Sequence, residues 1–166
     1  MLKAIVHVDK NWGIGKGNDM MFSLPLDMQF FRSTTLNHTV VMGGNTLRSF
    51  PNGQPLKNRV NIVLSRGQVR DDCIIVRSYE ELKNELKTRK NEEIFVIGGG
   101  EVYKELLPYC DEVLVTKVDA VGGAEVFFPN LDEDENFVCV DESEPIKDNG
   151  YTIRFTKYKN QNVKEL

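Results

Sequence analysis

The stretch Phe95-Val96-Ile97-Gly98-Gly99-Gly100 joins an apolar run to three consecutive glycines, and Val40-Val41-Met42-Gly43-Gly44 repeats the pattern with two. Both stretches lead into a predicted helix, which is typical of a strand-to-helix turn. Glycine lets a phosphate approach the backbone, and the following helix offers free N–H groups to an anion. Two such turns on one sheet favour a dinucleotide lying across the carboxyl ends of the strands. Either turn alone is explained equally well by a tight change of chain direction.

Outward from these turns, apolar runs alternate with segments of helical periodicity along most of the chain. We predict further strands over residues 2–8, 60–64, 73–76 and 113–115, with an antiparallel pair formed by 137–140 and 151–158. Helices are predicted from Pro25 to about Leu36, after Asn45, over 79–89, and over the segment with Val102, Tyr103, Leu106 and Leu107. This alternation indicates a parallel sheet that is covered on both faces.

Local signals mark where some of these elements begin. Ser78 and Glu81 predict a capping box at the start of the third helix. Gly13 and Gly17 border a predicted irregular loop between the first strand and the first helix. The predicted fold is α/β: a single domain over residues 1–166, with a largely parallel twisted central sheet, antiparallel C-terminal strands and about four flanking helices.

Composition excludes several classes of protein. The chain has 166 residues, 40% hydrophobic and 28% charged, which suits one domain. Its net charge of −4 argues against broad nucleic-acid binding. No apolar run reaches the ~20 residues of a membrane span, and the N-terminus lacks the apolar core of a signal peptide, so we expect a cytoplasmic protein without a membrane partner. We also expect a monomer. We expect the three cysteines to be reduced, and His7 and His38 to form no metal site.

Asp27 is the strongest candidate for an acid with a chemical role. On a helix that starts near Pro25, Leu24, Met28 and Phe31 share one apolar face, and Asp27 lies on the same side. A carboxylate beside an apolar stripe is costly unless it meets donors. It could hold a nitrogen-rich heterocycle through paired hydrogen bonds. The simpler alternative is a first-turn acid favoured by the helix dipole.

Four arginines are candidates for binding anions: Arg32, Arg59, Arg66 and Arg77. Each is explained individually as a solvated surface charge. Arg66 and Arg77, however, each lie just past a predicted strand beside a serine. That position suits a ribose 2′-phosphate, which distinguishes NADP from NAD.

Taken in their order along the chain, the motifs of this sequence closely resemble those of dihydrofolate reductase from Ile5 to about Pro129. The resemblance weakens in the C-terminal tail. The matching motifs are Gly13-Ile14-Gly15, Leu24-Pro25-Leu26-Asp27, Val41-Met42-Gly43 with Thr46, Pro55-Leu56-Lys57-Asn58-Arg59, Asn61-Ile62-Val63-Leu64-Ser65-Arg66, Val96-Ile97-Gly98-Gly99-Gly100 with Tyr103, Thr116 and Phe128-Pro129. Each motif is weak alone, whereas the ordered set is specific.

The resemblance implies an oxidoreductase that reduces 7,8-dihydrofolate to 5,6,7,8-tetrahydrofolate and that also binds antifolate-type small molecules. It implies that Asp27 anchors the pterin with help from Thr116, while water delivers the proton to N5. Phe22 would form an aromatic wall, and Met20 would lie in the loop that closes over the nicotinamide. The residues implied to bind the substrate are Ile5, Val6, Phe31, Arg32, Leu56, Arg59, Ile97 and Tyr103. Of these, Arg59 would pair with the carboxylate of the glutamate tail.

The implied cofactor is NADPH, which would supply the hydride that reaches pterin C6. The residues implied to bind it are His7, Ile14, Gly15, Gly43, Gly44, Asn45, Thr46, Leu64, Ser65, Arg66, Arg77, Gly98, Gly99, Gly100, Glu101 and Val102. Within this set, the glycines and Thr46 would cradle the pyrophosphate. Ser65, Arg66 and Arg77 would receive the 2′-phosphate.

The chain departs from the family pattern at five places. Met21-Phe22 replaces Pro-Trp, His7 replaces a small residue, and Gly44 replaces an Arg or Lys. Glu101 adds a negative charge beside the expected pyrophosphate site, and Gly123-Ala124-Glu125-Val126 stands where Gly-Asp-Thr is usual. These departures bear on rate, cofactor affinity and loop closure more than on the family.

Two alternatives stay open. The chain could reduce another pterin-like heterocycle, because one fold hosts several chemistries. Such an enzyme should lack the pair of Asp27 and Arg59, since its substrate has no glutamate tail. The chain could also be a non-catalytic folate- or nucleotide-binding module, although Asp27, Thr116 and both glycine turns argue against it.

Overall fold

The computed structural model describes residues 1–17 and 19–166. The strands in this part of the chain are β1 (Leu2–Val8), β2 (Gly13–Gly15), β3 (Thr39–Gly43), β4 (Val60–Leu64), β5 (Ile74–Val76), β6 (Ile94–Gly98), β7 (Glu112–Val118), β8 (Val126–Phe127), β9 (Phe137–Glu142), β10 (Ile146–Asp148) and β11 (Tyr151–Asn160). The α-helices are α1 (Pro25–Thr35), α2 (Gly44–Ser49), α3 (Tyr79–Lys87) and α4 (Gly100–Leu106), and short 3₁₀ turns cover Pro51–Gly53 and Leu107–Tyr109. No helix among the described residues is long and apolar enough to cross a membrane.

The main sheet has the order β10-β11-β7-β1-β6-β3-β4-β5, and β9 pairs with β11. The pairs from β7 through β5 are parallel, whereas β11 runs antiparallel to β7, β9 and β10. This confirms the predicted α/β fold with antiparallel C-terminal strands. Pairing between β1 and β6 stops at Ala4 and Val96, so the carboxyl ends of these two neighbours are not joined by ladder hydrogen bonds.

The apolar strands are buried on both faces, as their unbroken hydrophobic runs predict. Along β1, Ala4 belongs to one core cluster and Ile5 to another. Along β3, Val41 and Val40 divide between the same two clusters. Side chains alternate across a strand, so consecutive apolar residues fill the core on opposite sides of the sheet.

Half of the predicted capping box forms at α3. The Ser78 side chain accepts a hydrogen bond from the Glu81 N–H at 3.1 Å, as predicted. The Glu81 carboxylate, however, accepts from the N–H of Arg77 at 2.7 Å and not from that of Ser78. Helix α3 also ends at Lys87, two residues before the predicted end.

The predicted irregular loop contains a strand that the sequence did not indicate. Gly13 pairs with Phe127 and Gly15 with Val126, which joins β2 to β8 in a small second sheet. Gly13 is required there, because a Cβ at this position would lie 2.3 Å from Ala124 Cβ. This pairing fixes the loop after β1 against a segment more than a hundred residues away.

Candidate active site

Asp27 lies in the first turn of α1 and reaches two strands of the sheet. Its Oδ1 accepts a hydrogen bond from Thr116 Oγ1 at 2.7 Å, and its Oδ2 lies 3.2 Å from His7 Nδ1. His7 and Thr116 are paired in register on β1 and β7, so their side chains leave the same face of the sheet. The Asp27 side chain is 13% exposed. The largely buried carboxylate therefore has a hydrogen-bonding partner at each oxygen: the Thr116 hydroxyl donates to Oδ1, and the His7 imidazole contacts Oδ2.

A second buried carboxylate sets the position of α1. Asp148 Oδ1 and Oδ2 each accept a hydrogen bond at 3.1 Å, from the N–H groups of Leu26 and Asp27. Asp148 thereby satisfies two of the free donors at the start of the helix. This role was not predicted from the sequence. The Asp148-Asn149-Gly150 segment indicates a tight turn, but nothing local predicts a contact with α1.

The apolar residues proposed for the substrate pocket pack against the two core clusters of the sheet. Ile5 is buried in one core cluster, and the half-buried side chains of Phe31, Leu56 and Ile97 pack against it. Val6 points to the opposite side of β1 and packs against the other cluster. The predicted substrate residues therefore divide between the two faces of the sheet.

Phe22 and Met20 occupy different environments. Phe22 is 6% exposed and its ring packs edge-on to Tyr151 at 4.9 Å, with the His7 ring 6.3 Å away. Met20 is 56% exposed. Phe22 thus forms part of a packed wall, whereas Met20 reaches solvent in this structure.

Tyr103 uses its hydroxyl within the protein. The hydroxyl donates to the carbonyl oxygen of Ile5 at 2.7 Å, which ties α4 to β1. Burial, with the Asp27 charge as a smaller contribution, raises the pKa of Tyr103 well above its usual range. Its phenol is therefore a neutral structural donor next to the pocket.

Arg59 makes three hydrogen bonds beside the last turn of α1. Its guanidinium donates to Thr35 Oγ1 at 3.0 Å and to the carbonyl oxygens of Lys57 at 2.6 Å and Arg32 at 2.8 Å. Burial, followed by repulsion from Arg32, lowers its pKa. All three acceptors are neutral, so the positive charge stays available to an anionic ligand.

The two glycine turns lie side by side because β3 and β6 are neighbours. A Cβ on Gly98 would be 3.3 Å from Thr46 Oγ1, and one on Gly43 would be 3.4 Å from Val102 Cγ2. Gly98 has a φ of 132° and joins Gly99 through a cis peptide bond. Such a φ favours glycine, since other residues are strained there. The turns form a narrow backbone cradle that side chains would fill.

Further predicted residues border this cradle. Leu64 pairs with Gly43 in the sheet, and a Cβ on Gly100 would lie 3.9 Å from Ile14 Cδ1. Glu101 is exposed and lies near Tyr79. Burial of the Tyr79 hydroxyl, followed by the charges of Glu101 and Glu105, raises the pKa of Tyr79 to about 12. Because Tyr79 begins α3, Glu101 brings its negative charge between the start of α4 and the start of α3.

Arginine side chains lie near the Gly43-Gly44 turn and Ser65. Arg77 donates to the carbonyl oxygen of Ser65 at 3.0 Å, while Arg66 is exposed. A Cβ on Gly44 would lie 3.3 Å from both Ser65 Oγ and Arg48 Nη1. Arg48, which also donates to Asn45 Oδ1, was missed by the sequence analysis. Its spacing of four residues from Gly44 on α2 is the signal that could have found it.

The loop that carries Ile14 is closed by Glu125, at one of the departures noted above. The Glu125 N–H donates to the Gly15 carbonyl oxygen at 2.9 Å, and its carboxylate accepts from the Gly17 N–H at 2.8 Å. Asp9, which is 3% exposed, accepts from the N–H groups of Asn11, Gly13 and Gly122. These carboxylates hold the loop to the β8 segment.

Comparisons with known proteins agree with this geometry. A dihydrofolate reductase of Bacillus subtilis is 34% identical over 166 residues, which cover 98% of this chain and 96% of the relative. One of Haemophilus influenzae is 37% identical over 153 residues, which cover 91% of this chain and 93% of that relative. Both matches extend over nearly the whole length of each protein.

A solved structure is similar throughout. Dihydrofolate reductase from Enterococcus faecalis, complexed with NADP(H) and RAB-propyl, superposes with a TM-score of 0.85 at 28% identity and covers 96% of each chain. The family model for dihydrofolate reductase matches residues 1–160. Since this match includes the acid-bearing helix and both glycine turns, the chain belongs to the dihydrofolate reductase family.

Proposed function

We infer that the chain catalyses the NADPH-dependent reduction of 7,8-dihydrofolate to 5,6,7,8-tetrahydrofolate, by hydride transfer to C6 and protonation of N5. The observation that carries this conclusion is the position of Asp27. Its largely buried carboxylate lies at the carboxyl end of β1, next to the strand that ends in Gly98. One cleft can therefore hold a heterocycle at the acid and a dinucleotide at the glycine turns.

On the substrate side, we assign Asp27 the role of anchoring the pterin. Its two oxygens keep lone pairs for ring N–H donors after the contacts with Thr116 and His7. Ile5, Phe31, Leu56 and Ile97 would pack on the ring system and the aminobenzoyl group. Val6 and Tyr103 would support this wall from behind β1.

Arg59 favours a substrate with an acidic tail. A guanidinium whose three described acceptors are all neutral suits the α-carboxylate of the glutamate. Arg32, exposed next to it, adds positive charge. This arrangement supports dihydrofolate over a tail-less heterocycle.

The residues present fit NADPH. The cradle at Gly43, Gly44 and Gly98–Gly100 admits a pyrophosphate that a Cβ would exclude, and Thr46 adds a hydroxyl at its edge. Ser65, Arg66 and Arg77 would hold the 2′-phosphate, with Asn45, Leu64, Glu101 and Val102 around them. When bound, NADPH supplies the hydride.

The protein contributes alignment and exclusion of water. Phe22 and the closed Gly15–Glu125 contact shield the cleft, and Met20 would complete the cover once ligands bind. Ile14 and the His7 backbone would border the nicotinamide. Because Asp27 anchors the ring edge that carries N3 and the amino group, water would deliver the proton to N5.

The direct test is loss of NADPH absorbance on addition of dihydrofolate, with NADH measured in parallel. We expect turnover with NADPH and much weaker turnover with NADH. Binding of both ligands without turnover would indicate the non-catalytic alternative. Turnover of a pterin without a glutamate tail at equal kcat/KM would indicate a different substrate.

We also propose that residues 1–166 act as one domain and as a monomer in the cytoplasm, and that the site binds antifolate-type inhibitors. Cys73, Cys110 and Cys139 are unpaired thiols, which suits a reducing compartment. Sedimentation would reveal a dimer.

Competition of a diaminopyrimidine with dihydrofolate would test inhibitor binding.

A further inference from the structure

The imidazole of His7 lies against the proposed pterin-binding carboxylate. Its Nδ1 is 3.2 Å from Asp27 Oδ2, while Thr116 holds Oδ1. The side chains of His7 and Asp27 are 10% and 13% exposed, so water competes little for this contact. His7 therefore acts on the same carboxylate that the proposed function uses.

The contact determines which ring nitrogen carries the hydrogen. An ionised carboxylate only accepts hydrogen bonds, so Nδ1 must be the donor. A neutral imidazole then has a bare lone pair on Nε2. Nε2 is buried, and within residues 1–17 and 19–166 no group hydrogen-bonds to it. A buried polar atom of this kind needs a partner that the protein itself does not provide.

The position of the ring indicates what that partner is. Pairing of β1 with β6 ends at Ala4, so His7 lies beyond it, at the open carboxyl edge of the sheet. Phe22 stands 6.3 Å from the imidazole, centroid to centroid, and Asp27 lies on its other hydrogen-bonding side. The imidazole thus borders the site that the proposed function assigns to the pterin, because its Nδ1 contacts the proposed pterin-binding carboxylate.

We propose that His7 is a positioning residue for Asp27 and a specificity-determining residue for the heterocycle, an inference that rests on the proposed function. Nδ1–H fixes one carboxylate oxygen and leaves it a lone pair for the ligand. Nε2 accepts a further N–H from an amino-substituted flat ring. The site therefore selects a ligand with one donor more than Asp27 alone can take.

Three substitutions separate the two roles of the imidazole. His7→Ala removes both nitrogens, His7→Asn keeps a donor near the position of Nδ1, and His7→Gln keeps a polar group near the position of Nε2. His38→Gln is the matched control, since His38 is the other histidine and lies against Phe95, with ring centroids 5.8 Å apart. Calorimetry gives the Kd of dihydrofolate and of NADPH, and single turnovers with deuterated NADPH give the rate of hydride transfer.

For His7→Ala, we expect the dihydrofolate Kd to rise ~10-fold and hydride transfer to slow ~10-fold, as for loss of a hydrogen bond to a charged group. The NADPH Kd should stay within about twofold, as no hydrogen bond of the imidazole to the cofactor is proposed. His7→Asn should restore the rate but not the Kd, while His7→Gln should restore the Kd better than the rate. His38→Gln should change neither.

The ring nitrogens can also be observed directly. In a ¹⁵N spectrum, two histidines give two ring systems, and His38→Gln assigns them. We expect His7 to carry its hydrogen on Nδ1 in the free protein, with the Nε2 resonance shifting when dihydrofolate is added. A hydrogen on Nε2 in the free protein would overturn the proposal.

The kinetic results can overturn it independently. Equal losses of affinity for NADPH and dihydrofolate would deny His7 a role specific to the heterocycle, and unchanged constants in His7→Ala would leave it without a role at the site. If the unaltered chain bound dihydrofolate without reducing it, the proposed function would fail. The binding and ¹⁵N measurements would then still decide the inference about His7.

Discussion

The two ends of the cleft are built in different ways. At the acid end, formed by Asp27, Thr116, His7 and Asp148, every carboxylate oxygen already has a protein donor. At the glycine end, formed by the two turns, α2 and α4 begin with no side-chain cap from the described residues. The first end is arranged without ligand, whereas under the proposed function the second is completed by the cofactor. Changes at the acid end should therefore alter rate and stability, and changes at the glycine end should alter cofactor affinity.

The largest expected effect is at the acid itself. Asp27→Asn keeps the shape but removes the charge, and we expect kcat to fall ~10²-fold or more at neutral pH. The NADPH Kd should stay nearly unchanged, since the cofactor binds at the other end. Steady-state rates with calorimetric NADPH binding check this, and unchanged turnover would remove Asp27 from the mechanism.

The next largest effect is expected at Asp148, whose carboxylate binds the start of the helix that carries Asp27. Asp148→Ala leaves the Leu26 and Asp27 N–H groups without their acceptor, and we expect a loss of about 2 kcal/mol in the free energy of unfolding. The rate of hydride transfer should fall as well. Asn149→Gly is the control, because it keeps the positive φ of the turn and removes only a contact with Ser23. Urea unfolding of both variants measures the difference, and equal losses would deny Asp148 a special role.

A smaller effect is expected at the tail-binding arginine. Arg59→Ala should raise the dihydrofolate KM ~10-fold, since a charge-assisted pair is lost. A substrate analogue without the glutamate tail should be affected far less. If the KM rises equally for dihydrofolate and for the analogue, the glutamate tail binds elsewhere.

At the glycine end, Arg66→Ala should raise the Kd of NADPH roughly fivefold and leave the Kd of NADH nearly unchanged. The effect is small because Arg66 is exposed and its charge is screened by solvent. Arg48→Ala offers a contrast: its position beside Gly44 predicts equal losses for both dinucleotides. Comparing the two Kd values for each variant checks this. Equal losses in Arg66→Ala would place the 2′-phosphate away from it.

The smallest effect concerns pH and the loop. Burial raises the pKa of Asp9, but the N–H donors of Gly122, Gly13 and Asn11 outweigh it and hold the pKa below its usual value of 3.8. Its contribution to stability is therefore complete above about pH 4 and is lost as the pH falls further. Asp9→Asn should cost about 1 kcal/mol at pH 7 and less at pH 3. A cost that does not change with pH would contradict this sign.

The sequence predicted the parts of the site that depend on short-range signals. Apolar runs ending in glycine identified β3 and β6, and Pro25 identified the start of α1. The apolar face around Asp27 indicated a carboxylate that needs donors, and the ordered motifs identified the family. The roles assigned to single residues remain predictions, with Asp27, Arg59 and Arg66 the most directly testable.

Long-range contacts were not predicted. The strand β2 depends on pairing with β8, and Glu81 found a different partner in Arg77. Asp148 caps a helix that lies 121 positions away, and the local turn signal says nothing about that helix. Tyr103 gives its hydroxyl to the backbone of β1, although the motif implied a role toward the substrate.

By itself, the sequence determined the α/β class and the family, since each follows from short local motifs and from their order along the chain. It also predicted Asp27 as the acid of the site. Only the tertiary structure decided which groups meet that acid. The order of strands in the sheet brings His7 and Thr116 together in register, and the last hairpin returns Asp148 to the start of α1. Hydrogen bonds form between atoms that are near in space, and that distance depends on how the whole sheet is assembled.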